Sequence, residues 1–244
     1  MPGLAPAREE DFEEYPARLA LAEFQPLETE RLRLRLLHPS DAPTIQRLAG
    51  EYEVAKTLSY LSHPYEDGIA ELFIDSALAE WSRGEALHLA ITLKSPGGDG
   101  LDGDPPADGL DGDAPADGLD GDAPADGLDG DAPADGLAPL IGIIALEFNH
   151  LARLAELGYW LGVPYWNKGY ATEAARAVVE YGFKVLRLNR IQARHMTNNP
   201  ASGRVLQKLG MAYEGTHRQA TRRFGAYQDL AVYAILRSEY LAED

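Results

Sequence analysis

The sequence predicts an α/β domain, on three observations. Short extended runs, some alternating and some continuously apolar, recur along the chain. Segments with helical apolar spacing stand between them, and glycine, proline and Asx residues punctuate the joints. A long acidic repeat separates two extended runs that would otherwise form neighbouring antiparallel strands, so the pieces before and after it complete one another.

The elements follow in order. Leu32, Leu34 and Leu36 alternate with Arg31, Arg33 and Arg35, which predicts a half-buried strand with a charged face. Ser40-Asp41 offers a cap for a helix running to about Gly50, and a second helix covers roughly 66–83, capped near Tyr65 and stopped by Gly84. Strands at His88–Leu93 and Leu140–Leu146 flank the repeat, followed by a strand over Glu156–Leu161. Ala171 to about Val185 is a helix, Arg190–Met196 a strand, and Ala201 to about Leu209 a helix closed by Gly210. Extended runs near 211–223 and 229–236 finish the domain, while residues 1–24 form an N-terminal extension ahead of a domain over 25–240.

The repeat reads GLDGDAPAD, with Leu101, Leu110, Leu119, Leu128 and Leu137 nine residues apart. One leucine per unit cannot offset the entropy of ordering the backbone, so residues 95–139 are expected to be disordered. A calcium-binding β-roll would need GGxGxDxUx, which this proline-containing unit lacks. Weak cation association, solubilisation or a repeat expansion without function are the roles left. A loop of this length is tolerable because closure entropy grows slowly with length.

Of the net charge of −17, Asp99–Asp135 contributes 13 aspartates and no base, so the remainder carries 26 acids against 22 bases. The folded part is only mildly acidic, and an anionic ligand can still be met by local donors. No aromatic–basic stripe points to nucleic acid. No apolar run is long enough to span a membrane, and the acidic N-terminus does not read as a signal peptide, so a cytoplasmic location is expected. Zero cysteines exclude disulfides, thiolate metal sites and cysteine nucleophiles, and no metal cluster is evident.

The most informative local feature is strand, short loop, helix across Gly158–Glu173. Gly169 permits close backbone approach, Ala171 leaves room, and the free N–H groups of a helix start suit a phosphate; an ordinary tight connection would look the same. Neither G-x-G-x-x-G nor G-x-x-x-x-G-K-[ST] is present. In Asn198–Arg204, Asn199 and Ser202 stand where they would cap a helix or bind a ligand.

Five segments together resemble the GCN5-related N-acetyltransferases (GNAT), and within them the branch that includes ribosomal-protein-alanine N-acetyltransferases. They are Leu27–Arg35, Ala155–Leu161, Asn167–Ala174, Asn199–Ser202 with Arg204–Met211, and Gly225–Asp229. The resemblance spans about 27–240 apart from the repeat. It implies a mixed central sheet splayed at the acetyl-CoA site, with helices on both faces, and transfer of acetyl to a primary amine. A protein N-terminal α-amine is the expected acceptor; a small-molecule amine or antibiotic, or a non-catalytic acyl-CoA sensor, are the alternatives.

In that resemblance the pyrophosphate of acetyl-CoA meets Asn167, Lys168, Gly169, Tyr170, Ala171 and Thr172. The thioester carbonyl is polarised by backbone at Tyr159, Trp160 and Leu161, and Asn199 also faces the cofactor. Two departures stand out: Trp166 replaces the usual Arg or Gln, and Leu206 the usual tyrosine. Ser202 is the implied proton donor to the leaving thiolate, with helix capping as its competing role. Glu156 and Glu147 are the candidate bases, each equally readable as a solvated strand carboxylate. His195 reads as a packed structural histidine, His217, Arg218, Arg222 and Arg223 lie near the acceptor side, and Tyr227 and Asp229 brace the sheet.

Overall fold

The computed structural model describes residues 24–94 and 137–242. The N-terminal extension, apart from Phe24, and the repeat over 95–136 lie outside the described residues. Eight strands form one mixed sheet: β1 (Leu27–Glu28), β2 (Leu32–Leu36), β3 (Ala86–Leu93), β4 (Leu140–Asn149), β5 (Leu154–Leu161), β6 (Arg190–Met196), β7 (Ala212–Arg223) and β8 (Ala226–Leu236). Their spatial order is β1-β2-β3-β4-β5-β6-β8-β7. The helices are α1 (Ala42–Ala49), α2 (Tyr52–Ala55), α3 (Ile69–Arg83), α4 (Tyr170–Lys184), α5 (Pro200–Lys208) and α6 (Arg237–Tyr240).

β3 and β4 pair antiparallel, with Ala86 opposite Glu147 and Ile91 opposite Gly142, so the connection carrying the repeat joins sheet neighbours. β5 and β6 are the one parallel pair among the described strands, as their connection through α4 requires. They pair only at Leu154–Glu156 against Arg190–Gln192. Beyond that point β5 keeps β4 as its partner and β6 keeps β8, so the sheet opens into a V. Ladder pairing is absent along the facing edges of the V, which leaves their backbone groups for a ligand or water.

Period-two alternation sends the two faces of β4 and β5 to different cores. Ile144, Leu146 and Leu157 pack with Ala174, Val178, Phe183 and Leu206 of α4 and α5. Ile143 and Trp160 pack with Ile45, Leu48, Ala70 and Ile74 of α1 and α3. Helices therefore cover both faces of the sheet.

Several local expectations change. Arg35 is not part of a solvated face: it is 8 % exposed and binds Asp41, itself 2 % exposed, through two bonds of 2.7 and 2.8 Å. Asp41 consequently makes no cap bond to α1; it accepts the His38 N–H at 2.8 Å instead. α3 starts after Gly68, in the left-handed region at φ 85, rather than near Tyr65. β1, α2 and α6 have too few residues for periodicity to reveal them.

The β7–β8 hairpin reaches back across the molecule. Arg223 donates to the Ala55 carbonyl of α2 at 2.6 Å and lies 4.1 Å over the Phe224 ring. Midway, β7 carries extra residues between His217 and Thr221, and the Asp229 carboxylate accepts the Gln219 N–H there at 2.7 Å. Asp229 thus holds a bulge that places Thr221 on the cleft.

Candidate active site

The V opens into a cleft of about 840 Å³ that runs from the α2–α3 loop, past β4 and β5, to the start of α4 and the face of α5. Its walls include every predicted site residue except Lys168: Glu147, Glu156, Tyr159, Trp160, Leu161, Asn167, Gly169, Tyr170, Ala171, Thr172, Asn199 and Ser202. The Lys168 carbonyl is instead held by Arg31, at 3.0 Å.

One end of the cleft is the turn into α4. Asn167 and Gly169 both take left-handed backbone, φ 59 and φ 80, and no side chain caps the helix. The first-turn N–H groups are therefore left to face the cleft, where they suit an anion. Trp166 replaces the expected polar side chain, and its indole N–H donates to the Leu161 carbonyl at 2.8 Å, fixing the loop to the end of β5.

This turn is clamped by the segment between β1 and β2. Glu173, in the first turn of α4, accepts from the Thr29 hydroxyl (2.6 Å), the Arg31 N–H (2.8 Å) and the Arg31 guanidinium (2.7 Å). Arg31 also lies 4.7 Å over the Tyr170 ring. Partial burial opposes ionisation of Glu173, but the bonds from Thr29 and Arg31 outweigh it and hold the carboxyl below its ordinary range. A group depressed in the folded state stabilises above its unfolded pKa and loses that contribution as pH falls through the folded value. Glu173→Gln should therefore lower thermal stability at pH 7, and the gap to the native protein should close below about pH 4. Melting curves from pH 7 down to pH 3 check this.

At the centre of the cleft, Asn199 caps α5 by accepting the Ser202 N–H at 3.3 Å, with Pro200 at the first helical position. Capping thus belongs to Asn199. The Ser202 hydroxyl is engaged elsewhere, 2.9 Å from the Tyr159 hydroxyl of β5. Burial pushes the Tyr159 phenol up to about 12 against the opposing effect of the Ser202 bond, so it stays protonated across the neutral range. Leu206 is fully buried in the core, and no hydroxyl enters the cleft from that position.

The two candidate bases differ. Glu156 is held by Arg194 through bonds of 2.7 and 2.9 Å and by Gln192 at 3.3 Å. Glu147 stands directly opposite it across β4–β5 and makes no ion pair among the described residues. Both Glu156 oxygens are thus committed to neighbouring side chains, whereas Glu147 is left open to the cleft. Trp160 is 8 % exposed and anchors the α1–α3 core, so its contribution to the cleft is mainly backbone.

Residues without a sequence signal complete the rest of the cleft wall. Tyr60 and Thr57 come from the α2–α3 loop, Glu80 and Phe73 from α3, His88 from β3 and Thr221 from β7. His88 Nε2 lies 2.8 Å from a Glu80 oxygen. Their separation in sequence, and the ordinary amphipathic pattern of α3, gave no spacing by which to find them. His195 is packed as expected: Nδ1 meets the Met196 carbonyl at 2.8 Å and the ring stacks on Tyr233.

The model of the Acetyltransferase (GNAT) domain matches residues 126–212. "Uncharacterized N-acetyltransferase YoaA" of Bacillus subtilis (strain 168) is 42% identical over 97 residues, 40% of this chain and 54% of that protein. "Spermidine N(1)-acetyltransferase" of Escherichia coli (strain K12) is 33% identical over 103 residues, 42% of this chain and 55% of that protein. The chain thus spans about half the length of the curated relatives it matches. The crystal structure of an acetyltransferase (GNAT family) from Bacillus anthracis superposes with a TM-score of 0.62 at 23% identity, covering 88% of this chain and 100% of that one. The similarity extends beyond ribosomal-protein enzymes, which widens the expected branch. With its splayed mixed sheet and its helices on both faces, the chain has the fold of the GCN5-related N-acetyltransferases.

Proposed function

We propose that the chain transfers an acetyl group from acetyl-CoA to a primary amine. The observation that carries this reading is the V between β5 and β6, bounded at one end by the uncapped start of α4. The pyrophosphate would meet the N–H groups of the Gly169–Thr172 turn, where the helix dipole favours negative charge. Arg204 and Lys208, one turn apart on α5 and both lining the cleft, add positive charge for the cofactor's phosphates. Its pantetheine arm would run along the unpaired edge of β5, with the thioester carbonyl near the backbone at Tyr159–Leu161.

The chemistry then needs a deprotonated amine held in line with the thioester carbon, a base and an acid. Glu147 takes the amine proton, directly or through water, and Ser202 supplies the proton to the leaving sulfur. A protein N-terminal α-amine is the acceptor favoured by the sequence resemblance, with the chain entering between the α2–α3 loop and β7. The carboxylates of Glu80 and Glu147 in the acceptor half favour a second reading, a small cationic amine.

The test is thiol release from acetyl-CoA by the full chain, with N-terminal peptides and small polyamines as two acceptor panels and product mass as the second readout. Thiol release matched by acetylated peptide supports the first reading, and acetylated polyamine the second. Acetyl-CoA binding without turnover on either panel would overturn both in favour of a sensor.

A further inference from the structure

We propose that Tyr159 is a positioning residue for Ser202: its phenol O–H donates to Ser202 Oγ and turns the serine hydrogen into the cleft, toward the departing sulfur. This rests on the acetyl-transfer reading above. The geometry that supports it spans the V. Tyr159 leaves β5 beyond the point where β5 and β6 part, and its hydroxyl reaches across to α5, where its one hydrogen has two acceptors, Ser202 Oγ at 2.9 Å and the Ser202 carbonyl oxygen at 3.2 Å, the nearer being Oγ. Both residues line the cleft. Because Asn199 already satisfies the Ser202 N–H, the serine hydroxyl has no capping duty to compete with this contact. Phenylalanine at 159 would preserve the ring but leave Ser202 Oγ without this partner.

A serine hydroxyl that accepts a hydrogen bond is a better donor, because linked bonds polarise one another. As the amine nitrogen bonds to the acetyl carbon, the carbon–sulfur bond breaks and its electron pair goes to sulfur. Sulfur takes the Ser202 hydrogen, and Ser202 Oγ takes the phenolic hydrogen in the same motion. The proton leaving the acylated nitrogen goes first to Glu147 and then through water to the phenol oxygen, which restores both groups. The other proton, lost by the ammonium before attack, is the one released in the net reaction. A phenol with a raised pKa suits this role, since it is fully protonated when turnover begins and recovers its hydrogen readily.

The test compares Tyr159→Phe, Ser202→Ala and the double variant of the full chain, using acetyl-CoA and the amine that the acceptor panels identify. The expected result is a loss in kcat of about 10–100-fold for Tyr159→Phe, with acetyl-CoA Kd and acceptor KM within about threefold of the native values. The double variant should be no slower than Ser202→Ala by more than about threefold, because the two residues act as one unit. A proton inventory of native turnover in mixed light and heavy water should curve, reporting two hydrogens in flight, and should straighten in Tyr159→Phe. Native kcat in Tyr159→Phe, losses that multiply in the double variant, or a linear native inventory would overturn the proposal. The inventory uses the native chain and so decides even if a variant fails to fold. A native chain that turns over no amine overturns the acetyltransferase reading and this proposal together, whereas turnover undiminished in Tyr159→Phe overturns this proposal alone.

Discussion

Replacing Asp41 with alanine is expected to lower the unfolding free energy by about 3–5 kcal/mol, an effect on the order of 10 °C in melting temperature for a domain of this size. The side chains of Arg35 and Asp41 are 10 % and 1 % exposed, and their two hydrogen bonds satisfy most of what each group needs. Removing the carboxylate leaves a guanidinium in a space with little water, held among the described residues only by the carbonyls of Leu36 at 3.1 Å and Ala138 at 3.3 Å. It also frees the His38 N–H that Asp41 accepts. The loss should come mostly from the stranded charge, so Arg35→Met combined with Asp41→Leu should recover much of it. Thermal melts of the single and double variants check this; a double variant as unstable as Asp41→Ala would show that packing, rather than charge, dominates.

Gly169→Ala should weaken acetyl-CoA binding by about tenfold or more, since left-handed backbone costs an L-residue about 1–2 kcal/mol. At φ 80 this position favours glycine, and an added Cβ would sit 3.3 Å from Arg31 Nη2. That guanidinium is bound to Glu173 and to the Lys168 carbonyl, so it cannot move aside without loosening the clamp on the same turn. Backbone strain and clamp displacement therefore act on the N–H groups assigned to the pyrophosphate. Calorimetric titration of the variant measures the loss directly, with a melting temperature only modestly lowered.

What could be read from the sequence tracks the range of each interaction. Strands β2 to β6 and helices α3 to α5 announce themselves through local periodicity and through stops such as Gly84 and Gly210, both of which take positive φ. The turn at Asn167–Thr172 was legible because helix start, glycine and small residue are contiguous. Arg35 escapes the pattern because alternation reports which face a side chain leaves from, not whether a partner such as Asp41 waits there. The clamp from Thr29 and Arg31 onto Glu173 joins residues more than 140 apart in sequence, and no local pattern encodes it. The same holds for the Tyr159–Ser202 contact, which depends on how far β5 and β6 diverge. Glu156 and Glu147 looked equivalent in the chain; Arg194, on the adjacent strand, is what separates them.

Calorimetric titration of acetyl-CoA into the full chain and into Gly169→Ala shows whether the cleft and its turn hold the cofactor. Saturable binding at one site per chain is expected, with affinity reduced by about tenfold or more in the variant. Absence of binding by the native chain, or equal affinity in the two proteins, would contradict the assignment of the cleft and of the turn that closes it.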